Sequence, residues 1–413
     1  MSLSPVADAL VPPDCESDCV PGCASERASD CAADIALPAH CYSDEALFAV
    51  EQEVFFAAGP GYVGHELMVP EIGDYRSLEW FDHAQLLVRG DDGVRLLSNV
   101  CRHRQAIMLQ GQGKAKRIVC PLHRWAYDTD GDLVGAPRFK EKPCLSLRRQ
   151  AVQSWQGLLF AGPRPVADDL AALQGSPFDF SGYRLDRVVL HDCDYNWKTF
   201  IEVYLEDYHV APFHPGLGNF VTCDDLHWQF GTQFSVQRVG LTRFERSGSP
   251  AYARWQQAVR DAFPEAPPQG AVWLTLYPNV MLEWYPNTLV VSSLIPLSPG
   301  RTRNVVEFYY PAAVVAENRE FVEAQQAAYL ETAVEDDEIG ERMDRGRQAL
   351  VRQGRSEVGP YQSPLEDGMR HFHEYYRRVI AASPAGAALL TAPSAAAGAG
   401  ASSLHRSSPD TEV

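Results

Sequence analysis

The chain has 413 residues, a length that predicts two or three domains of ordinary size. Its 46% hydrophobic content is enough for packed cores, and its net charge of −18 argues against a nucleic-acid-binding protein, which needs a basic surface. No run approaches the ~20 apolar residues of a membrane helix, and no basic segment precedes an apolar one, since the first Lys or Arg is Arg27. We therefore expect a cytoplasmic protein, with no membrane partner, whose ten cysteines need not pair.

Both ends of the chain have simple composition. Residues 1–44 are mostly Ala, Asp, Ser and Pro with little periodic pattern, and residues 382–413 are mostly Ala, Gly, Ser and Pro. This composition predicts a disordered tail at each end. Five cysteines lie in the first tail: Cys15, Cys19, Cys23, Cys31 and Cys41. A second metal site is the alternative interpretation of these thiols, but no C-x-x-C pair stands among them, so they are interpreted as incidental.

Residues 45–165 contain short alternating or apolar runs separated by turn signals. The runs are LMVPEI, AQLLVRG, GVRLLSNV, RIVCP and GLLFAG. Gly-Asp-Asp-Gly at 90–93 and Asp-Gly-Asp at 130–132 are typical of hairpin turns or loops. The pattern predicts a small all-β domain.

Two short cysteine–histidine pairs lie within this β-domain. Cys101 and His103 form a C-x-H pair, and Cys120 and His123 form a C-x-x-H pair sixteen residues later. Paired loops of this kind hold either a zinc ion or a [2Fe–2S] cluster. Zinc loops usually space their ligands two to four residues apart, so one residue between Cys101 and His103 is tight for a single tetrahedral ion. The spacing favours a cluster, in which the Cys and His of one pair bind different irons.

Residues 166–381 mix long strand-like runs with helical stretches. The strand-like runs include RVVLHDCDYNW, VWLTLYP, VMLEWYP, TLVVSSLIPL and RNVVEFYYP. The helical stretches are 198–210, 251–263, 313–349 and 366–381. We expect an α+β protein in which this second domain has an antiparallel sheet and a long late helix.

An acid and two histidines follow the first helical stretch of this domain. Glu206 and His209 are three residues apart and share a helix face. His214 is five residues beyond His209, and Pro212 between them can end the helix and turn His214 back. Two His and one carboxylate on one side of a metal are the ligand set of non-haem Fe(II) enzymes that activate O2. The carboxylate would have to come from elsewhere in the sequence.

The segments LSNVCRHRQ and CPLHRWAYDTDGDL resemble the cluster-binding segment of the Rieske-type ring-hydroxylating oxygenases. The resemblance extends over roughly 45–380 and includes NWKTF at 196–200. It implies an N-terminal Rieske [2Fe–2S] domain over 45–165 and a helix-grip, START-like catalytic domain over 166–381. It also assigns the cluster ligands: Cys101 and Cys120 on the inner iron, and His103 and His123 on the outer iron. Arg124 departs from the family, which usually has Gly after the second His.

The same resemblance implies a mononuclear Fe(II) held by His209, His214 and an acid of the stretch Glu-Asp-Asp-Glu-Ile-Gly-Glu-Arg at 335–342. The family pattern maps onto Asp336, with Asp337 as the alternative. It further implies that Glu206 bridges the cluster of one subunit to the iron of the next, although the family more often has Asp there. Asp207 is the alternative for this role.

By this resemblance the protein is the terminal oxygenase of a homotrimer. A flavin and iron–sulfur reductase would bring electrons from NAD(P)H to the cluster, and O2 and a small organic substrate would meet at the iron. The sequence of the late helix resembles that of the choline, carnitine and glycine-betaine monooxygenases more than that of the naphthalene branch. The resemblance therefore favours hydroxylation or dealkylation over aromatic cis-dihydroxylation. Six aromatic residues are candidates for a pocket that holds a quaternary ammonium or an aromatic ring: Trp228, Trp273, Trp284, Tyr285, Phe308 and Tyr309. A Rieske electron carrier with a ligand-binding module is the alternative of another class.

Overall fold

The computed structural model describes residues 35–173, 178–265, 267 and 270–391. Four of the five N-terminal cysteines and residues 392–413 lie outside these ranges, so the predictions for them remain predictions. Within the described ranges no helix is both long and apolar enough to cross a bilayer. The α+β class is confirmed: a β-rich domain comes first, and a domain built on one large antiparallel sheet follows.

Among the described residues of the N-terminal domain, eleven short strands form three small antiparallel sheets, with strand orders β1-β11-β10, β5-β2-β3-β4-β9 and β6-β7-β8. Their bounds are β1 Gly61–His65, β2 Asp74–Ser77, β3 Gln85–Gly90, β4 Gly93–Ser98, β5 Gln112–Lys114, β6 Ile118–Val119, β7 Ala126–Tyr127, β8 Leu133–Gly135, β9 Arg149–Gln150, β10 Val152–Trp155 and β11 Leu158–Ala161. The hairpin turn predicted at 90–93 joins β3 to β4, where Gly90 pairs with Gly93. Gly93 has φ +133°, a backbone conformation that L side chains rarely adopt.

The second domain is organised around a seven-stranded antiparallel sheet of order β12-β18-β17-β16-β15-β14-β13. Its strands are β12 Tyr183–Cys193, β13 Val221–Phe230, β14 Phe234–Leu241, β15 Ala271–Leu276, β16 Val280–Tyr285, β17 Thr288–Ser298 and β18 Arg301–Pro311. The central strands are buried almost throughout, because both faces of the sheet are covered.

In the described part of the chain nine α-helices accompany the sheets: α1 Glu45–Glu51, α2 Val166–Asp169, α3 Trp197–Tyr204, α4 Val210–Phe213, α5 Pro250–Ala262, α6 Ala312–Glu317, α7 Arg319–Arg352, α8 Asp367–Ala381 and α9 Pro384–Thr391. The 34-residue α7 carries Asp336 near its middle and begins at the Asn318 N-cap, whose side chain accepts from Phe321 N. Its buried positions Phe321, Gln325 and Ala328 follow the spacing of one helix face. Short 3-10 helices occupy Ala39–Tyr42, Glu66–Met68, Glu79–Phe81, Ala171–Leu173 and Leu217–Asn219, and a π-helical turn, Gln52–Ala57, continues α1.

The domain bounds differ from the prediction at both ends. Residues 35–57 do not form a free tail or part of the β-domain; Tyr42, Leu47 and Phe55 pack with α3 and α8 of the second domain. The buried ammonium of Lys198 lies 2.7 Å from Glu51 Oε1 and links this segment to α3. The C-terminal tail prediction is also wrong at its start, because α9 is helical and its Leu390 joins the same core. Apolar side chains far apart in the sequence override the simple composition of these ends.

Candidate functional site

The two Cys–His loops of the β-domain have the same backbone fold. In each loop the cysteine N–H donates to the carbonyl five residues later, at 2.9 Å for Cys101 and 2.8 Å for Cys120. The N–H four residues later donates back to the cysteine carbonyl at 3.1 Å in both loops. That fourth residue, Gln105 or Arg124, has a left-handed backbone with φ of 56° or 59°. The two loops therefore share the same hydrogen-bond frame around the cysteine, although the histidine is two residues after Cys101 and three after Cys120.

The side chains of these loops are layered. The thiols of Cys101 and Cys120 are free and buried in the domain core. The rings of His103 and His123 lie further out, with their centroids 4.7 Å apart, and His103 stacks on Trp125 at 4.9 Å. His103 Nδ1 is buried and has no hydrogen-bond partner among the described residues. Two inner thiols and two outer imidazoles match the donor set of a Rieske cluster, which has one iron for each pair. The four ligands of a zinc ion would instead surround a single point.

A hydroxyl lies against the inner thiol. Tyr127 is fully buried, and its Oη lies 3.7 Å from Cys101 Sγ and accepts from Arg102 N at 3.2 Å. Burial and the Cys101 contact raise the pKa of Tyr127 well above its ordinary value. The phenol therefore stays protonated and can donate to the sulfur, a contact that stabilises the reduced state of such clusters.

The rim around the loops is basic although the protein is acidic. Arg104 and Arg124 are exposed and Arg102 is half-buried. Leu122 is 56% exposed beside them, so the rim also offers apolar surface. Arg124 has a left-handed backbone conformation that favours glycine. For a residue with a side chain this conformation destabilises the fold by about 1 kcal/mol.

Three ligand-type side chains converge in the second domain. His209 precedes the short helix α4 and His214 follows it, and Asp336 projects from the middle of α7. Asp336 Oδ1 lies 3.0 Å from His214 Nε2 and 3.6 Å from His209 Nε2. One ligand atom from each residue falls within a group spanning less than 4.8 Å. Asp336 Oδ1 is nevertheless buried without a hydrogen bond of good geometry. Converging donors that do not satisfy one another fit a metal ion between them.

The far side of each imidazole faces a carboxylate. Glu335 Oε2 lies 2.7 Å from His214 Nδ1, and Glu206 Oε1 lies 2.5 Å from His209 Nδ1. The angle at His209 Nδ1 is outside hydrogen-bond geometry, so that contact is electrostatic, while Glu206 Oε2 also accepts from His209 N at 3.0 Å. These outer carboxylates orient both rings so that Nε2 faces Asp336.

The charges of this group favour a bound cation. Burial lowers the pKa of His209, but the carboxylates of Asp336 and Glu206 outweigh it and raise the pKa to about 10. Burial raises the pKa of Asp336, but the two imidazoles outweigh it and leave the pKa below its ordinary value. The negative field that would hold a proton on the rings would equally hold a divalent metal ion, and Asp336 stays ionised.

The alternative acids face elsewhere. Asp337 Oδ2 lies 2.7 Å from His191 Nε2, and its Oδ1 accepts from Tyr195 Oη at 3.0 Å. Asp207 is buried and accepts from the Gln237 side chain, and burial raises its pKa to about 7. Glu206, not Asp207, therefore lies beside the histidines, and Asp336, not Asp337, meets them.

A cavity of about 110 Å³ opens beside this group, between α7 and one face of the large sheet. It is rich in aromatic side chains: Tyr204, Tyr252, Trp255, Trp273, Tyr285, Phe308 and Tyr329. Five carboxylates also line it: Glu206, Asp207, Glu283, Asp336 and Asp337. Among the described residues no Lys or Arg lines the cavity. An acidic, aromatic cavity suits a small cation.

Three of the six aromatic residues predicted for a pocket line the cavity: Trp273, Tyr285 and Phe308. Trp284 and Tyr309 point to the other face of the sheet, because alternate residues of a strand face opposite sides. Trp228 stacks on Phe230 and donates to Pro364 O instead. Sequence reasoning missed Glu283, although it stands two residues before Tyr285 in the same strand and the alternation could have indicated it.

A β-domain with a Rieske-type pair of loops, followed by an antiparallel-sheet domain with two His and one Asp at a cavity, defines a Rieske non-haem iron oxygenase. Comparisons with known proteins agree. Residues 61–155 match the Rieske [2Fe–2S] domain, and residues 180–382 match the ring hydroxylating alpha subunit catalytic domain.

The chain is 63% identical over 347 residues to putrescine 2-hydroxylase of Ralstonia nicotianae, covering 83% of this chain and 95% of that protein. It is 56% identical over 362 residues to putrescine 2-hydroxylase of Bordetella bronchiseptica, covering 83% and 84%. In fold it is similar to the quaternary ammonium Rieske monooxygenase CntA in complex with L-carnitine, with a TM-score of 0.66 at 21% identity over 83% of this chain and 95% of that one.

The chain belongs to the ring-hydroxylating Rieske oxygenase family and is its oxygenase, or alpha, subunit. It is an oxidoreductase whose cofactors are a Rieske [2Fe–2S] cluster and a mononuclear iron. The electron-carrier alternative is wrong, since the chain has the catalytic domain as well as the cluster domain.

Proposed function

We propose that this oxygenase hydroxylates a carbon of a short aliphatic amine of the putrescine type. The observation that carries the proposal is the cavity lining, with five carboxylates, three histidines and no Lys or Arg among the described residues. Alkyl ammonium groups stay protonated at neutral pH, as lysine does, so the cavity complements their charge. The names of the two relatives at 63% and 56% identity support the same substrate class.

The proposal includes the ligands of both metal sites. The cluster is bound by Cys101 and Cys120 on the inner iron and by His103 and His123 on the outer iron. Fe(II) is bound by His209, His214 and Asp336, with the remaining coordination positions open toward the cavity. Iron in such a site supplies reductive activation of O2. The protein supplies the ligands, the outer carboxylates of Glu206 and Glu335 and an aromatic cavity.

The reaction needs two electrons from an external donor. A C–H bond, O2, two electrons and two protons give a C–OH bond and one H2O. We infer that NAD(P)H provides the electrons through a flavin and iron–sulfur reductase, which reduces the cluster.

We also infer a homotrimer in which the cluster of one subunit serves the iron of the next through Glu206. A second groove reaches the outer surface beside His209 and is lined by Glu206, Asp207 and Asp224. Its acidic lining complements the basic rim of another copy. Glu206 contacts His209 and also lines this groove, which supports the proposal that it connects the iron site with a histidine docked from outside.

The experiment is oxygen consumption with a surrogate reductase and NADH, across putrescine, L-carnitine, choline and benzoate, with products analysed by mass spectrometry under 18O2. We expect turnover of putrescine and a product that carries one labelled oxygen. Turnover of carnitine or choline without putrescine would move the substrate to quaternary ammonium compounds. A product with two labelled oxygens from an aromatic substrate would replace the proposal by cis-dihydroxylation.

A further inference from the structure

Glu283 is a carboxylate of the cavity wall that neither metal site uses. It lies in the middle of β16, opposite Trp273 of β15 and Val290 of β17. The side chain is deep in the domain yet keeps accessible surface, because it lines the cavity. A buried carboxylate is costly unless a cation or several donors meet it.

Among the described residues one hydrogen-bond donor meets Glu283. Tyr285 Oη donates to Glu283 Oε2 at 3.1 Å, and Trp273 Nε1 donates to the same Tyr285 oxygen at 3.0 Å. Because Trp273 donates to the Tyr285 oxygen, the Tyr285 hydroxyl proton points toward the Glu283 carboxylate. No Lys, Arg or His among the described residues forms an ion pair with Glu283. Burial, together with the charge of Asp336, outweighs the Tyr285 bond and raises the pKa of Glu283 to about 7. The carboxylate is therefore oriented but has no positive partner within the described residues.

A second polar group of the cavity also lacks a partner. Tyr204 Oη is buried and makes no hydrogen bond to any described residue. Tyr204 lines the same cavity as Glu283, and after burial the charge of Glu283 is the largest influence that raises its pKa. A neutral phenol oxygen can accept a hydrogen bond or donate one. The wall thus offers a charged acceptor and a neutral acceptor to the same occupant.

We propose that Glu283 anchors the terminal ammonium of a primary amine substrate, with Tyr204 Oη as a second acceptor, and so holds the other end of the molecule toward His209, His214 and Asp336. A primary ammonium has three N–H donors, whereas a trimethylammonium has none. The anchor therefore selects primary amines over quaternary ones, and the aromatic walls contact the methylene chain. This inference rests on the proposed amine class of substrate and adds the residue that recognises it.

The test compares Glu283→Gln with Glu307→Gln in the purified, metal-loaded protein. Glu307 is a matched control on β18, which β17 separates from the strand of Glu283. It is buried, accepts from Tyr62 Oη at 2.8 Å and Tyr309 Oη at 2.5 Å, has a pKa raised by burial to about 7, and does not line the cavity. Putrescine binding is measured by calorimetry. We expect about 10- to 100-fold weaker binding in Glu283→Gln, the usual loss for a hydrogen bond to a charged group, and unchanged binding in Glu307→Gln.

Glu283→Asp distinguishes an anchor from a residue that only supports the fold. It keeps the charge but withdraws it by one methylene, so binding should be partly restored. The preference among putrescine and its homologue with one more methylene should move toward the longer diamine. A residue with a structural role alone would not change the preferred chain length.

The outcomes separate the two proposals. If the wild-type protein binds no primary amine, the proposed substrate class is wrong and the anchor has no role. If the wild type binds putrescine and Glu283→Gln binds it equally well with an intact Rieske spectrum, the anchor is overturned while the substrate class stands. Unchanged chain-length preference in a folded Glu283→Asp also overturns the anchor. Should Glu283→Gln fail to fold, Glu283→Asp and Tyr204→Phe decide, the second by a several-fold loss of affinity confined to amines.

Discussion

Asp336 and Asp337 are consecutive on α7, and their carboxylates face different partners. Asp336 Oδ1 lies 3.0 Å from His214 Nε2, whereas Asp337 Oδ2 lies 2.7 Å from His191 Nε2. Successive side chains of a helix diverge by about 100°, so only one of two neighbouring acids can reach a given point. This geometry supports Asp336 as the carboxylate of the proposed iron site and leaves Asp337 in a hydrogen-bonded cluster with His191 and Tyr195.

The first prediction compares the two acids. Asp336→Asn should remove the mononuclear iron, because it replaces an anionic ligand, and should leave the cluster. Iron content should fall from about three to about two per chain with an unchanged Rieske spectrum. Asp337→Asn should keep about three. Loss of iron in Asp337→Asn alone would reverse the assignment, and loss of the cluster in either variant would indicate a folding defect.

The second prediction concerns Glu206. Glu206→Gln removes a charge beside His209 but no metal ligand, so both metal sites should stay occupied and the cluster should be reduced at a normal rate. Reoxidation of the reduced cluster in a single turnover with O2 and substrate should slow by at least about tenfold, as for loss of a charged contact. Normal reoxidation in Glu206→Gln together with failure in Asp207→Asn would transfer the role to Asp207.

The third prediction is a pH dependence of stability at the contact between the domains. Tyr62 of β1 and Tyr309 of β18 both donate to Glu307, whose pKa burial raises from 4.5 to about 7. Between these values the unfolded chain is ionised at this position and the folded chain is protonated. Stability is therefore lost as the pH rises from 4.5 to 7 and stays low above it.

The Glu307→Gln variant has no ionisable group at this position, so its free energy of unfolding should not fall between pH 4.5 and pH 7 for this reason. Relative to wild type, the variant should gain about 2–3 kcal/mol between pH 5 and pH 8, as measured by urea unfolding at each pH. A difference between variant and wild type that does not change with pH would show that Glu307 is ionised in the folded protein throughout this range.

The fourth prediction concerns Arg124. Arg124→Gly should stabilise the protein by about 0.5–1 kcal/mol, since glycine adopts the left-handed backbone freely but loses more entropy on folding. It should also lower the reduction potential of the cluster, because a nearby positive charge favours the reduced state. Protein film voltammetry measures the potential and thermal unfolding the stability.

Gln105→Gly is the matched control for that prediction. Gln105 has the same backbone conformation in the other loop, with φ 56°, but no charge. We expect a similar gain in stability and no change in potential. Equal potentials for all three proteins would mean that the Arg124 charge is screened by solvent.

The sequence by itself determined the cluster loops and the fold class. Cys101 and His103, and likewise Cys120 and His123, are close in sequence, so a tight loop brings each pair together whatever surrounds it. The strand alternation and the long helical stretch at 313–349 were predictable for the same reason, because hydrophobic periodicity is a local signal. Membership of the oxygenase family followed from these motifs.

Only the tertiary structure decided which groups meet across long stretches of chain. It brings Asp336 to His209 and His214, places Glu283 in the wall of the same cavity and packs residues 35–57 against α3 and α8. The rotation of a helix about its axis and the face of a strand that meets a cavity depend on every packed neighbour. A local pattern cannot specify them, because the free energy that selects one orientation comes from burial in the assembled core.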